Sequence, residues 1–126
     1  MELPTNIKYT KEHEWVKVDG TTATVGITEY AQGELGDIVF VDLPDVGKKL
    51  TPGQSFCVLE STKAASDVYA PISGTVASVN AALSDNPTEV NHSPYEKGWL
   101  ATFADINSAE LDSLMSAEQY KAFIKK

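Results

Sequence analysis

Apolar residues occur in this chain only in short runs, of which Ile38–Val41 is one of the longest. A helix that crosses a membrane needs roughly 20 consecutive apolar residues, so the pattern argues against a membrane protein. Short apolar runs bounded by turn-forming residues are typical of β-strands, and 126 residues fit one domain. The turn residues that separate the predicted strands are Pro44, Gly47, Pro52, Gly53, Pro71 and Gly74.

The N-terminal part predicts a β-hairpin followed by a short helix. Glu14–Val18 alternates apolar and polar residues, Asp19-Gly20 is a typical hairpin turn, and Thr22–Ile27 is the expected returning strand. Thr28 is the expected helix cap and Gly33 the expected stop. Further strands are predicted at 37–42, 56–60, 68–70, 74–79 and 99–103.

The predicted body contains a weak internal repeat. Gly36–Val41 resembles Gly74–Val79, and each is followed later by an apolar strand, Phe56–Leu59 in the first copy and Trp99–Phe103 in the second. Two similar halves of short strands favour two small sheets packed face to face. Lys63 would then lie in the turn that joins the halves.

Three helix starts are expected in the second half of the chain. Asn86–Glu89 has a cap, a proline at the first helical position and a glutamate three residues after the cap. Asn107 with Glu110, and Ser116 with Gln119, are candidate capping boxes. Residues 107–125 are thus expected to form two short amphipathic helices, or one bent helix, on a β body of residues 9–105. The whole chain, 1–126, is expected to be one domain.

Charge and composition narrow the classes of partner. The chain has 18 acidic residues, 10 basic residues that are all lysine, and a formal net charge of −8. Without arginine or a basic stripe, nucleic-acid binding is not expected, whereas an acidic surface suits partners with basic clefts. Residues 1–4 lack the basic start and apolar core of a signal peptide, so a cytoplasmic protein is expected.

The sequence offers no evident catalytic or metal-binding set. Cys57 is the only cysteine. Its position in an apolar run favours a buried, inert thiol over a nucleophile. His13 and His92 are the only histidines, and neither has a neighbour in metal-ligand spacing. We therefore predict no metal site and no enzyme activity.

A lysine stands out instead. A strand is expected to end at Glu60 and another to begin near Val68, which leaves Lys63 at the tip of a hairpin with no evident partner. A solvated turn lysine is the simplest interpretation. The alternative is a scaffold that presents one amine for acylation, because an amide removes the charge and makes a stable tether.

The segment Glu60–Asp67 resembles the lipoylation motif of glycine cleavage H proteins. Biotin carriers flank their lysine with methionines, whereas Thr62 and Ala64 flank Lys63 here; Thr62 stands where an apolar residue is more usual in the H proteins. The lipoyl domains of 2-oxo-acid dehydrogenases are shorter, with an acid directly before the lysine. The resemblance extends to 9–15, 26–32, 35–41, 71–74, 80–83, 94–95, 98–100 and 116–120.

This resemblance implies a mainly β fold, with two antiparallel sheets in a flattened barrel-sandwich hybrid like that of lipoyl and biotinyl domains. It implies a lipoyl amide on Lys63, with Glu60, Ser61, Ala64 and Asp67 around the arm. A pyridoxal-phosphate glycine decarboxylase would load the aminomethyl group of glycine onto the arm. A tetrahydrofolate-dependent aminomethyltransferase would unload it, and dihydrolipoyl dehydrogenase would restore the disulfide. Lipoate-attaching enzymes would be further partners.

Two questions stay open at this stage. A loaded arm carries a cationic, water-sensitive group, so Glu12, Glu14 and Asp67 are candidates to line a protective cleft, or they are ordinary solvated carboxylates. The carrier role also has an alternative, a lipoate relay that donates lipoyl groups to other apoproteins. Both roles require Lys63.

Overall fold

The computed structural model describes residues 3–125, so Met1, Glu2 and Lys126 of the predicted 1–126 domain lie outside the described residues. We number the strands β1 to β9 and the helices α1 to α3. The strands are β1 Lys8–Tyr9, β2 Glu14–Asp19, β3 Thr22–Ile27, β4 Ile38–Asp42, β5 Lys49–Leu50, β6 Ser55–Ser61, β7 Ala65–Tyr69, β8 Gly74–Val79 and β9 Ala101–Ala104. The helices are α1 Glu29–Leu35, α2 Glu89–His92 and α3 Ala117–Ile124, with 3-10 turns at Ala81–Ser84 and Ser108–Ser113.

The strands form two open antiparallel sheets. The larger sheet has the order β1-β2-β3-β9-β8-β5, and the smaller has the order β4-β6-β7. The prediction of a mainly β protein with two antiparallel sheets and short helices is confirmed, although the sheets differ in size. None of the helices within residues 3–125 has the length and apolar character needed to cross a bilayer.

The two halves of the internal repeat lie in different sheets. The first half supplies the antiparallel pair β4–β6, and the second supplies the pair β8–β9. Their inner faces meet in one apolar cluster, in which the rings of Phe56 and Phe103 lie 5.4 Å apart in an edge-on arrangement. Each half therefore buries the apolar face of the other, which neither could do alone.

Two short strands were missed, and several predicted boundaries were wrong. β1 and β5 have two residues each, too few for an alternating pattern to be visible. The hairpin loop is Gly20-Thr21, because Asp19 still pairs with Thr22. β7 begins earlier than predicted and β9 begins later.

Helix α1 does not stop at Gly33. It continues to Leu35 and ends at Gly36, whose φ of 83° lies in the left-handed region and whose N–H bonds to the carbonyl oxygen of Gln32. Glycine is tolerated inside a helix but is strongly favoured where φ is positive. The predicted cap at Thr28 is confirmed, since its hydroxyl accepts a hydrogen bond from the N–H of Ala31.

One predicted capping box forms, and one does not. Ser116 and Gln119 cap α3 reciprocally, as predicted. The Asn107 side chain does accept from the N–H of Ala109, but Glu110 turns away. Its two carboxylate oxygens accept from the N–H and the hydroxyl of Ser73, each at 2.7 Å, which ties this segment to the β body. The cap of α2 is Thr88 rather than Asn86.

Helix α3 packs on the N-terminal strands through a second apolar cluster. The Tyr120 ring stacks on Tyr9 with centroids 4.8 Å apart. Its hydroxyl lies 2.7 Å from His13 Nδ1 and 2.8 Å from Thr28 Oγ1. The predicted packing of the C-terminal segment on the β body is therefore confirmed.

Two glycine-to-alanine substitutions should have opposite effects on stability. A Cβ at Gly26 would lie 2.7 Å from ring atoms of the buried Trp15, so Gly26→Ala should lower the free energy of unfolding by about 1–3 kcal/mol. The matched control is Gly33→Ala in α1, where a Cβ would meet nothing within 4 Å. This control should raise stability by about 0.5–1 kcal/mol. Urea unfolding of both variants measures the difference, and equal effects would contradict the packing at Trp15.

Candidate functional site

Lys63 lies at the tip of the hairpin between β6 and β7, in the loop Thr62–Ala64. The hydroxyl of Ser61 accepts hydrogen bonds from the N–H groups of Lys63 (3.1 Å) and Ala64 (3.2 Å). The Ser61 N–H also donates to the carbonyl oxygen of Ala64 at 2.8 Å. One serine thus holds the backbone of the loop in a single arrangement while the lysine side chain stays exposed.

The Lys63 side chain lies over the carboxyl end of α1. Its Nζ is 3.5 Å from the carbonyl oxygen of Glu34, and a Cβ built on Gly36 would lie 3.3 Å from its Cε. The last turn of α1 has no basic residue of its own, so Lys63 places a positive charge at the negative end of the helix. This contact is exposed and weak, which leaves the amine accessible.

Asn91 of α2 fixes the surface beneath this hairpin. Its side-chain amide donates to the carbonyl oxygen of Gly36 at 2.8 Å and to Gln32 Oε1 at 2.9 Å. Its Oδ1 accepts from the N–H of Ile38 at 2.8 Å. Sequence reasoning missed Asn91, because these partners lie more than fifty residues away along the chain and no local pattern connects them.

The other motif residues lie on the hairpin but do not converge on Lys63. Glu60 is exposed and lies opposite Phe40 on one side and Ala65 on the other. Asp67 is also exposed, and its Oδ1 accepts a hydrogen bond from the hydroxyl of Ser55 at 2.9 Å. Among the predicted motif residues, Ser61 and Ala64 therefore contact the lysine loop directly, whereas Glu60 and Asp67 give the outer face of the small sheet its charge.

Glu14 is a buried carboxyl group, only 2% exposed. Thr10 Oγ1 donates to its Oε1 at 2.6 Å, and the N–H of Tyr69 donates to its Oε2 at 3.2 Å. Burial raises the pKa of Glu14 to about 7 against the opposing effect of these two donors. The sequence predicts Glu14 as a candidate cleft residue but predicts neither its burial nor its hydrogen bond to Tyr69 of β7.

Glu14 and Glu12 line the same cavity, with a volume of about 220 Å³. Asp67 is not among its lining residues, so the structure brings together two of the three predicted cleft carboxylates. β7 runs from Ala65, beside the lysine loop, to Tyr69, whose N–H binds Glu14. That path is about 13 Å at roughly 3.3 Å per residue. The remaining lining residues are Tyr9, Thr10, Lys11, Pro52, Gly53, Ala70, Pro71, Ser113, Leu114 and Met115.

A larger cavity of about 580 Å³ lies near Trp15, Asn91 and Tyr95. Its lining has charges of both signs, from Lys17, Glu29 and Glu96, and it does not include Glu14. Each cavity is lined by two glutamates and one lysine. We favour the smaller cavity as the cleft for a cationic group because Glu14, a buried carboxyl group with a raised pKa, lines it.

The remaining reactive side chains have structural surroundings. Cys57 is buried, as predicted, and burial raises the pKa of its thiol to about 12, so little of the nucleophilic thiolate forms near neutral pH. His13 Nδ1 forms a hydrogen bond with the Tyr120 hydroxyl. Burial lowers the pKa of His13, although the charges of Glu12 and Glu34 oppose this shift. Within residues 3–125, no three His, Cys, Asp or Glu side chains are grouped to hold a metal ion.

Comparison with known proteins identifies similar chains along nearly the whole length. A family model described as "Glycine cleavage H-protein" matches residues 7–126. A glycine cleavage system H protein of Staphylococcus haemolyticus is 54% identical over 124 residues, 98% of each chain. That of Geobacillus kaustophilus is 52% identical over 126 residues, covering 100% of this chain and 99% of its own.

The fold has a solved counterpart. The crystal structure of a glycine cleavage system H protein from Mycobacterium marinum superposes with a TM-score of 0.87. It is 36% identical in sequence, and the match covers 98% of this chain and 99% of that one. The similarity therefore includes both sheets and the C-terminal segment.

The burial of Glu14 should make stability depend on pH. Because the folded state raises the pKa of Glu14 from 4.5 to about 7, the native protein binds more protons than the unfolded chain between these values. Stability should therefore fall as pH rises through this window. Relative to the isosteric variant Glu14→Gln, the wild type should lose about 2–3 kcal/mol between pH 4.5 and 7.5.

Urea unfolding at several pH values measures this loss. The control is Glu60→Gln, which removes an exposed carboxylate that is not among the groups shifting the pKa of Glu14 and should keep the pH dependence of the wild type. Parallel pH profiles for the wild type and Glu14→Gln would contradict the burial of an ionisable group at residue 14.

Proposed function

Because the chain belongs to the glycine cleavage H-protein family and is therefore a lipoyl carrier of the glycine cleavage system, we propose that Lys63 is the residue that bears the lipoyl group. The observation that carries this proposal is the Ser61-braced hairpin, which presents one exposed amine at its tip. The lysine lies in the motif Glu60–Asp67 that resembles the lipoylation segment of the family. The other nine lysines of the chain do not lie in such a motif.

The surroundings of Lys63 fit a long acyl arm. Its Nζ is exposed, and the Cε passes over Gly36, where any side chain would crowd the stem. Acylation removes the positive charge and so weakens the contact of this nitrogen with the carbonyl oxygen of Glu34. The modified side chain would therefore be freer to leave α1 than the bare lysine, while the loop backbone stays fixed by Ser61.

When bound, the dithiolane supplies the thiol–disulfide chemistry by which an aminomethyl group is accepted and later released. The chain contributes position rather than catalysis: its buried Cys57 is not a nucleophile, and His13 is held by Tyr120. A tethered cargo reaches each docked active site at a high effective concentration. The proposed partners are the glycine decarboxylase, the aminomethyltransferase, dihydrolipoyl dehydrogenase and the lipoate-attaching enzymes. A cytoplasmic location stays a prediction.

Glu14 has the properties required to hold a cationic cargo. Its carboxyl group lies at the cavity that it shares with Glu12, and the donors Thr10 and Tyr69 fix its two oxygens. Burial raises the pKa of Glu14 to about 7, and a neighbouring ammonium would lower it again. The charged form of Glu14 would thus be unfavourable when the cavity is empty. It would be stabilised when the cationic cargo enters, and this charge pairing would favour the loaded state.

Replacing the proposed attachment residue should abolish lipoylation without unfolding the protein. Lys63→Arg keeps the positive charge but offers no amine that forms a lipoyl amide. Intact mass spectrometry of protein from lipoate-supplied cells should show one lipoyl adduct on the wild type and none on the variant. Glycine-dependent methylene-folate formation should fall to background. Lys97→Arg, at another exposed lysine, is the control and should be fully modified.

An adduct that persists in Lys63→Arg would overturn the assignment. Because the lipoate-relay alternative also requires Lys63, this variant does not separate the two roles. Transfer of lipoyl groups from the purified modified protein to other apoproteins, without glycine-dependent activity, would favour the relay.

Removing the buried carboxyl group should shorten the lifetime of the loaded arm. Glu14→Ala should be lipoylated normally but should lose the aminomethyl group about tenfold faster at pH 7.5, which corresponds to the loss of about 1.4 kcal/mol of charge pairing. The excess rate should shrink at low pH, once the pH falls through the pKa that Glu14 has beside the ammonium and the wild-type carboxyl group takes up a proton. Decay of the loaded form followed by mass spectrometry gives both rates.

Asp67→Ala is the matched control for this experiment, because Asp67 is exposed and does not line the cavity. Its decay rate should equal that of the wild type. Equal decay in Glu14→Ala and the wild type would refute the cleft, and faster decay in Asp67→Ala alone would place the cargo on the outer face of the small sheet.

A further inference from the structure

A β-bulge in β4 turns two large apolar side chains outward. Ile38 pairs with Ser61 and Phe40 pairs with Glu60, so Val39 is an extra residue between consecutive partners. Val39 is 55% exposed and Phe40 is 52% exposed. A bulge can re-aim side chains next to a functional site, and here it places two apolar side chains side by side on the surface, where apolar patches often mark binding sites.

The bulge lies beside the lysine hairpin. Phe40 pairs directly with Glu60, which precedes Lys63 by three residues, or roughly 10 Å at about 3.4 Å per residue. A standard protein–protein interface covers about 800 Å² on each partner, which corresponds to a disc of about 16 Å radius. A partner whose interface is centred on Lys63 therefore covers Phe40 as well.

Most of the charges on this face are negative. Lys63 is the cation at the tip, Lys48 lines a cavity with Asp42 and Ser55, and exposed acidic side chains lie on α1, β4, β6 and β7 and in the loop before β4. A complementary partner must therefore have an apolar pocket that accepts Phe40, surrounded by basic side chains that pair with the carboxylates. The exposed acidic residues are Glu34, Asp37, Asp42, Glu60 and Asp67.

We propose that the outer face of the small sheet, with Phe40 as its apolar anchor, is the docking surface for the enzyme that joins lipoate to Lys63. This inference rests on the proposed modification of Lys63. It names one partner because that enzyme works at Nζ itself, only four methylenes from the backbone, and must cover the hairpin. The other partners act on the far end of the finished arm and can engage it at a distance from the sheet.

The covalent step sets the same geometric requirement. Neutral Lys63 Nζ attacks the acyl carbon of an activated lipoyl donor held by the enzyme. The N–C amide bond forms, the bond from the acyl carbon to the activating group breaks, and a base of the enzyme takes the proton from nitrogen. The amine starts 3.5 Å from the carbonyl oxygen of Glu34, so an enzyme that takes it from this position approaches the end of α1.

The test uses the full-length protein, a purified lipoate-attaching enzyme and its activated donor. Phe40→Ser should lower the rate of lipoylation per unit of enzyme by about tenfold or more, as expected for an aromatic interface anchor. Val46→Ser is the matched control: Val46 is 63% exposed, in the turn beyond β4 on the side away from Lys63, where the N–H of Gly47 bonds to the carbonyl oxygen of Val76. It should be modified at the wild-type rate.

Two further measurements identify the occupant. Phe40→Ser that has been fully lipoylated by prolonged incubation should support glycine-dependent methylene-folate formation at the wild-type rate. Lipoylation of the wild type should slow as ionic strength rises, because a basic rim on the enzyme faces the carboxylates. Circular dichroism of the variants should show unchanged melting curves.

Each contrary outcome is distinct. Equal lipoylation rates for Phe40→Ser and the wild type would overturn the docking surface. An equal loss of glycine-dependent activity by lipoylated Phe40→Ser would assign the face to the cleavage enzymes instead. A wild-type dimer that dissociates in Phe40→Ser, with lipoylation unchanged, would assign the face to self-association. Absence of lipoyl from wild-type Lys63 would refute the proposed function itself.

Discussion

The mutual burial of the inner faces of the two sheets is the interaction on which the rest of the structure depends. Strand pairs β4–β6 and β8–β9 come from the two halves of the repeat, and the edge-on contact of Phe56 with Phe103 lies between them. Because side chains alternate along a strand, burying one face of β6 and β7 leaves the other face exposed. The exposure of the outer face, which carries Phe40, Glu60 and Asp67, is a direct consequence of that packing.

A carrier needs a rigid base and a mobile arm, and different residues supply these two properties. Ser61 fixes the loop backbone, while Asn91 joins the end of α1 to the start of β4 beneath it. Within residues 3–125, the Lys63 side chain passes over Gly36 and makes one weak hydrogen bond, to the carbonyl oxygen of Glu34. The backbone of the loop is therefore held more firmly than the side chain that has to move between active sites.

The N-terminal strands and α3 serve the cavity rather than the hairpin. Tyr120 joins α3 to His13 and Thr28, and the backbone of Tyr9 bonds to Met115 in both directions at 2.8 Å. These contacts close the side of the fold on which Glu14 lies. A carboxyl group can be retained there because Thr10 and the N–H of Tyr69 satisfy its oxygens, which lowers the cost of burial without removing it.

Local chemistry let the sequence by itself determine the mainly β class, the hairpin at Gly20, the caps at Thr28 and Ser116, and the position of Lys63 between two strands. These features depend on residues close together in the chain, such as a glycine with positive φ or a side chain that accepts from a nearby N–H. Only the tertiary structure decided the burial of Glu14, the hydrogen bonds of Asn91 to Gln32, Gly36 and Ile38, and the exposure of the Phe40 side chain. The first two result from partners more than fifty residues apart in sequence, and the third results from a β-bulge between Ile38 and Phe40. Neither a distant partner nor a bulge is visible in the pattern of neighbouring residues.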